Sequence, residues 1–151
     1  MTGEDNLLKL FDAADAPPYR LHEQIGFVLR RAHQRHVAIF AAHIADLTPP
    51  QFAALAKLHE DGPTSQNQLG SQIAMDAATV KGVIDRLNAR GLVELTRHEA
   101  DKRRLLVSLT AEGRATVEQL IPHARQITEE TLAPLNRKEA ATLLKLLGKL
   151  G

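Results

Sequence analysis

At 151 residues, with 44% hydrophobic and 25% charged residues, the chain has the size and balance of one soluble globular unit and not of a disordered segment. The absence of Cys excludes a disulfide framework, a thiolate zinc site, a cysteine nucleophile and a thiol redox sensor. No apolar run approaches the roughly 18 residues of a membrane span, and the acidic start Met1-Thr-Gly-Glu-Asp is the reverse of an export signal, so a cytoplasmic protein without membrane contact is expected. The net charge of +1 hides an uneven distribution. Residues 1–18 set Lys9 against Glu4, Asp5, Asp12 and Asp15, whereas residues 77–104 set Lys81, Arg86, Arg90, Arg97, Lys102, Arg103 and Arg104 against Asp85, Glu94, Glu99 and Asp101. Such a basic stretch points to nucleic acid, against the plainer reading of a solvated charged face.

Residues 1–18 lack a sustained period and end in Ala16-Pro17-Pro18, which predicts an arm. From Leu21 to about Asp46, apolar residues including Leu21, Ile25, Val28, Leu29, Ile39 and Phe40 recur at helical spacing and predict one long amphipathic helix. Thr48 caps a second helix with Pro at its first position, carrying Phe52, Leu55 and Leu58 and stopping near Asp61-Gly62-Pro63. Ser65 to about Ala74 reads as a short helix. Asp76 caps the next, whose Val80, Val83, Ile84 and Leu87 form one stripe up to Arg90-Gly91. Two β-prone runs, Leu92–Thr96 and Leu105–Leu109, flank the charged segment 97–104 and predict a hairpin with a basic tip. A helix then opens at Thr110, with a kink expected at Pro122, and continues to about Leu132. Asn136 caps a last helix through Leu147. The fold class expected is mainly α with a small β-hairpin wing: a winged helix-turn-helix between long terminal helices.

The segments Leu69-Gly70, Asp76-Ala-Ala-Thr79-Val80, Asp85-Arg86-Leu87, Gly91-Leu92-Val93, Asp101-Lys102-Arg103 and Leu109-Thr110-Ala-Glu-Gly113 resemble the MarR-type winged-helix repressors. The likeness is specific over about residues 48–115 and compatible over the terminal helices; residues 1–18 fall outside it. It implies a DNA-binding lobe over 48–110 and dimerisation helices over 19–47 and 111–151. It further implies a homodimer on a pseudo-palindromic stretch of double-stranded DNA, with release by a small aromatic carboxylic acid or phenol, as in control of an aromatic-acid catabolic operon.

The residues themselves support a DNA-reading face. With Val80, Val83, Ile84 and Leu87 inward, Ala78, Thr79, Lys81, Gly82, Asp85 and Arg86 point outward. Ala78 and Gly82 admit close approach to a groove floor, Thr79 offers a hydroxyl and a methyl, and Lys81 and Arg86 reach guanine edges or phosphates. A carboxylate near phosphates costs affinity unless it accepts from cytosine N4 or pairs with a neighbouring arginine, so Asp85 is expected to orient its neighbour and not to contact a base. An ordinary surface helix is the plainer alternative. In the hairpin, Arg97, Lys102, Arg103 and Arg104 surround Asp101, and an extended two-residue step would let Asp101 hold Arg103. The resemblance places Arg103 in the minor groove and turns Lys102 or Arg104 toward phosphates. Ser65, Gln66 and Gln68 stand where a helix start meets phosphate.

Four histidines, His22, His33, His36 and His43, fall within an arc of about 80° if the first helix is continuous. Three readings stay open: histidines satisfied by hydrogen bonds, a small-molecule pocket, or a metal site, for which only His33 and His36 are spaced to chelate together. For a planar anionic ligand, the available residues are Arg20, His22, Phe27, His36, Phe40 and His43. No cofactor is expected. No nucleophile elbow, phosphate loop or His-Glu-x-x-His motif supports an enzyme. A metal-responsive regulator of the same fold and a winged-helix protein-interaction module are the alternatives.

Overall fold

The computed structural model describes residues 16–101 and 103–151; most of the expected arm, and Lys102, lie outside the described residues. The chain divides into two units, one ending at Gln34 and one running from Arg35 to Gly151. In the first, a single 3-10 turn over Leu21–Glu23 precedes α1 (Ile25–His43), whose second half belongs to the other unit. The expected uninterrupted helix from Leu21 is thus corrected. Gln24 is extended (φ −88°, ψ 136°), and its side-chain amide donates to the Arg20 carbonyl at 3.1 Å, so His22 is not on the same helix as the other three histidines. Its ring meets Phe27 edge-on at 5.0 Å between centroids, and the Arg31 guanidinium lies 6.0 Å from the same Phe27 ring.

In the second unit, α1 gives way to α2 (Pro49–Asp61), β1 (Thr64–Ser65), α3 (Gln66–Gln72), α4 (Ala77–Ala89), β2 (Val93–Arg97), β3 (Leu105–Leu109), α5 (Ala111–Leu132) and α6 (Arg137–Gly148). The expected hairpin is present, with Val93 opposite Leu109 and Arg97 opposite Leu105. A third strand joins it. Thr64 and Ser65 pair with Val107 and Leu106, giving the antiparallel order β1-β3-β2. Two residues after Pro63, the second of them already a helix cap, are too few to show an alternating period, so β1 was invisible to pattern. α5 is helical on both sides of Pro122, which lies within it.

Helix starts are set by side-chain caps. Gln51 N donates to Thr48 Oγ1 at 3.3 Å while Gln51 Oε1 receives the Thr48 N–H at 3.1 Å, a reciprocal capping box. Asn136 and Glu139 repeat it at α6. The core collects buried residues from α1 to α5 and from the sheet. Phe40, Ile44 and Leu47 continue the α1 spacing past the end of the helix, and Leu55, Leu58, Leu69, Val80, Ile84, Leu87, Val107, Val117 and Ile127 are buried with them. α6 buries no residue: Leu143, Leu144, Leu146 and Leu147 are 37% to 57% exposed. Among the described residues, no helix is long and apolar enough to cross a membrane.

Two close approaches fix the packing. A Cβ on Gly70 would stand 3.0 Å from Val80 Cγ1, so α3 and α4 cross at the separation a glycine allows. A Cβ on Gly113 would stand 1.9 Å from the Leu92 carbonyl oxygen, a backbone atom that cannot turn aside. Gly82, inside α4, has nothing within 4 Å of the same position. Gly113→Ala is therefore expected to cost about 3 kcal/mol, a fall in Tm of roughly 10 °C. Gly82→Ala is expected to raise stability by up to about 1 kcal/mol through helix propensity alone. Thermal unfolding of the two variants checks both signs.

Candidate nucleic-acid interface and ligand cavity

The α3–α4 turn passes through Ala74 at φ 56°, a left-handed conformation held by Met75 N donating to the Gly70 carbonyl at 2.8 Å. The α3 start is tied inward. Ser65 Oγ accepts from Gln68 N at 3.2 Å, and Thr64 Oγ1 donates to Gln68 Oε1 at 2.9 Å, so Ser65 and the Gln68 carbonyl serve the helix start itself. Ser65 and Gln66 are half-buried, Gln68 exposed.

α4 partitions as its spacing demands. Val80, Val83, Ile84 and Leu87 are buried, while Ala78, Thr79, Lys81, Asp85 and Arg86 are exposed and Gly82 is half-buried. Asp76 Oδ1 accepts from Thr79 N at 2.7 Å and begins the helix. Asp85 pairs with Lys81, Oδ2 to Nζ at 2.8 Å, one turn back, and not with an arginine as expected. Both side chains are more than half exposed, so the pair is worth only about 0.3–0.5 kcal/mol and is easily exchanged for another partner.

The wing differs in detail from the extended tip expected. Asp101 does not hold the Arg103 guanidinium: its Oδ1 accepts the Arg103 backbone N–H at 3.1 Å, and its carbonyl accepts Arg104 N at 3.0 Å. A short polar side chain reaches the N–H two residues on more readily than a distant guanidinium, and the chain turns there. Arg97, Arg103 and Arg104 are exposed. His98, which the sequence reading passed over, organises the other limb: its Nδ1 accepts from Ala100 N at 3.1 Å and Asp101 N at 3.3 Å. The available signal was an acceptor-bearing ring immediately after a β-prone run, just ahead of the turn.

The six ligand-lining candidates fall in both units, His36, Phe40 and His43 in the second. Arg20, His22 and Phe27 belong to the N-terminal unit. Phe40 is 6% exposed and meets Phe52 edge-on at 6.2 Å, within the core. His36 Nδ1 lies 3.1 Å from Thr131 Oγ1 and His43 Nε2 2.7 Å from Glu130 Oε1. Arg35 donates to the Thr131 and Glu130 carbonyls at 2.5 and 2.6 Å. These bonds join the second half of α1 to the end of α5, the hydrogen-bonded reading of His36 and His43. No group of three or more His, Asp or Glu among the described residues is placed to hold a metal. His43 alone of the six lines a cavity of about 650 Å³, with Asp46, Leu47, Arg90, Leu92, Glu112, Thr116 and Leu120. Arg90, at the end of α4, donates from Nη1 to the Asp46 carbonyl at 2.6 Å and brings a cation to this wall.

Residues 47–105 match the model of the MarR family. The chain is 44% identical over 138 residues to the HTH-type transcriptional repressor NicR of Pseudomonas putida, covering 90% of this chain and 87% of that one. A probable transcriptional regulator from Pseudomonas aeruginosa is similar at 53% identity and TM-score 0.83, over 87% of this chain and all (100%) of that one. BpsR of Bordetella bronchiseptica, whose DNA binding is regulated by 6-hydroxynicotinic acid, is similar at 46% identity and TM-score 0.85, over 89% of this chain and 97% of that one. The chain belongs to the MarR family of transcriptional regulators, a family of regulators and not of enzymes, and has its winged-helix fold.

The Thr79 N–H holds the Asp76 carboxyl below the usual carboxylate range. A depressed folded value means that the cap's stabilisation is complete above the unfolded range, near about pH 4, and is lost as pH falls through the lower folded value. Asp76→Asn keeps a capping oxygen but not the titration. Its unfolding free energy in urea, measured from about pH 5 down to about pH 2, is expected to fall less steeply than the parent's. Parallel curves would remove the cap from the acid response.

Proposed function

We propose that this chain is a repressor that binds a pseudo-palindromic operator as a homodimer and is released by a small aromatic carboxylic acid of the hydroxypyridine or benzoate type. The observation that carries the DNA reading is the partition of α4. Four apolar residues seat the helix in the core, and Ala78, Thr79, Lys81 and Arg86 are left in solvent. Gly82 strengthens this. A glycine inside a helix costs about 1 kcal/mol, nothing nearby in the fold requires it, and close approach of a DNA backbone or base edge accounts for it. Arg103 at the wing tip takes the minor groove, Arg97, Lys102 and Arg104 take phosphates, and Asp101 shapes the turn. Ser65, Gln66 and Gln68 stand at the phosphate-facing start of α3. Residues 48–110 act as the DNA-binding lobe.

The leucines of α6 supply the dimer interface, together with the other terminal helices, because one chain leaves them in solvent. A two-fold dimer sets its recognition helices about 34–36 Å apart, one turn of DNA. The effector class follows from the likeness to NicR and BpsR and from the cavity beside Arg90, whose volume lies in the range of roughly 300–1,000 Å³ that holds small ligands. Arg90 clamps the carboxylate there, and Leu92 and Leu120 face the ring. Ligand bound at the junction of α1, α4 and α5 favours a spacing of the two lobes that does not fit one turn of DNA.

Selection of genomic fragments at about 0.15 M salt with competitor DNA is expected to return a pseudo-palindrome. Arg103→Ala is expected to weaken binding about tenfold and to lower the salt slope by about one phosphate. Substitution of Thr79 or Lys81 should alter preference between operators by about 1–3 kcal/mol per base pair. In the presence of about 100 Kd of 6-hydroxynicotinic acid, stability should rise by about 2.7 kcal/mol and the operator should be released. A thermal profile unmoved across a panel of aromatic acids overturns the effector class; a folded dimer that selects no motif overturns the DNA reading.

A further inference from the structure

Beyond the pairing of Arg97 with Leu105, the described residues of the wing tip have no ladder partner, and several of their N–H groups are met within the turn. One further rung is made by His98 N, which donates to the Arg104 carbonyl at 2.9 Å. The N–H groups of Ala100 and Asp101 both go to His98 Nδ1, and that of Arg103 goes to Asp101 Oδ1. The half-buried imidazole thus does the work of an asparagine in an Asx turn, accepting from the residues two and three ahead. Two donors on one ring nitrogen require its lone pair, which leaves the ring proton on Nε2.

We infer that His98 is the positioning residue of the wing. Its ring fixes the backbone of Asp101, and the Asp101 carboxylate fixes the backbone of Arg103, from which the guanidinium projects. The inference rests on Arg103 being a DNA contact, as proposed above. Without the ring, the Ala100 and Asp101 N–H groups turn to water and the tip samples several arrangements, so ordering it on DNA costs affinity. The core is untouched, because His98 lies outside the buried cluster and the strands below it keep their own ladder.

The test compares His98→Ala, His98→Asn, Arg103→Ala and the double variant His98→Ala/Arg103→Ala in the full chain, by fluorescence anisotropy on the selected operator and by thermal unfolding. Asparagine is the conservative variant because its Oδ1 sits where the imidazole Nδ1 does. His98→Ala is expected to weaken binding roughly threefold to tenfold with Tm within about 2 °C of the parent, and His98→Asn to recover affinity to within about twofold. In the Arg103→Ala background, His98→Ala is expected to add less than about twofold, since the two act through one contact. The inference is overturned if His98→Ala binds like the parent while Arg103→Ala is weakened, if asparagine gives no recovery, or if the His98→Ala loss is undiminished without Arg103. Parental binding by Arg103→Ala itself would instead overturn the DNA role of the wing, and with it this inference.

Discussion

The junction where α4, the sheet and α5 meet sets the geometry on which the rest of the molecule depends. Three hydrogen bonds make it. Thr110 N donates to the Leu92 carbonyl at 3.2 Å, Thr110 Oγ1 donates to the Gly91 carbonyl at 2.6 Å and in turn accepts Gly113 N at 3.0 Å. Gly113 then lies against the Leu92 backbone where no side chain fits. One threonine therefore ends the α4 turn and starts α5 through its hydroxyl, and closes the hairpin through its N–H. The Leu-Thr-x-x-Gly motif is, on this account, a packing device: threonine for its two-way hydroxyl, glycine for the space.

Short polar side chains do most of the local shaping elsewhere. Thr48, Ser65, Asp76, Thr110 and Asn136 each accept from a backbone N–H at a helix start, and Asp101 and His98 repeat the move in the wing. Each relieves one of the unpaired donors that a helix start or tight turn leaves. The consequence for function is that loops carrying exposed cations are still held at defined backbone positions. Lys81 and Asp85 are the exception in kind, an exposed surface pair that fixes little.

The second half of α1 is tied to the end of α5 by a set of polar contacts. Arg35 meets the last carbonyls of α5, where a cation also suits the helix dipole, and His36 and His43 add bonds to Thr131 and Glu130. Polar contacts of this kind exchange with water at little net cost, whereas buried leucines do not. The cavity that includes His43 and Arg90 borders on this polar seam. A ligand there would meet a wall able to rearrange, beside a lobe packed too tightly to do so.

Much of the architecture was determined by local sequence. The stripe Val80, Val83, Ile84, Leu87, the caps Thr48, Asp76 and Asn136, and the two strands around the basic tip all occur where spacing and capping chemistry put them, because each depends on residues within one or two turns. Features that depend on distant partners were decided by tertiary structure alone. β1 exists only because β3 offers Thr64 and Ser65 a ladder, and Phe40 joins the core where Phe52 of α2 meets its ring. The break at Gln24 removed His22 from the histidine stripe, and the turn at Asp101 changed its partner from a guanidinium to a backbone N–H. Arg90 reached the cavity through the carbonyl of a residue 44 positions away, Asp46. Periodicity reports which face of an element is apolar; it carries no record of which distant backbone group will accept a side chain, and that was left to the fold.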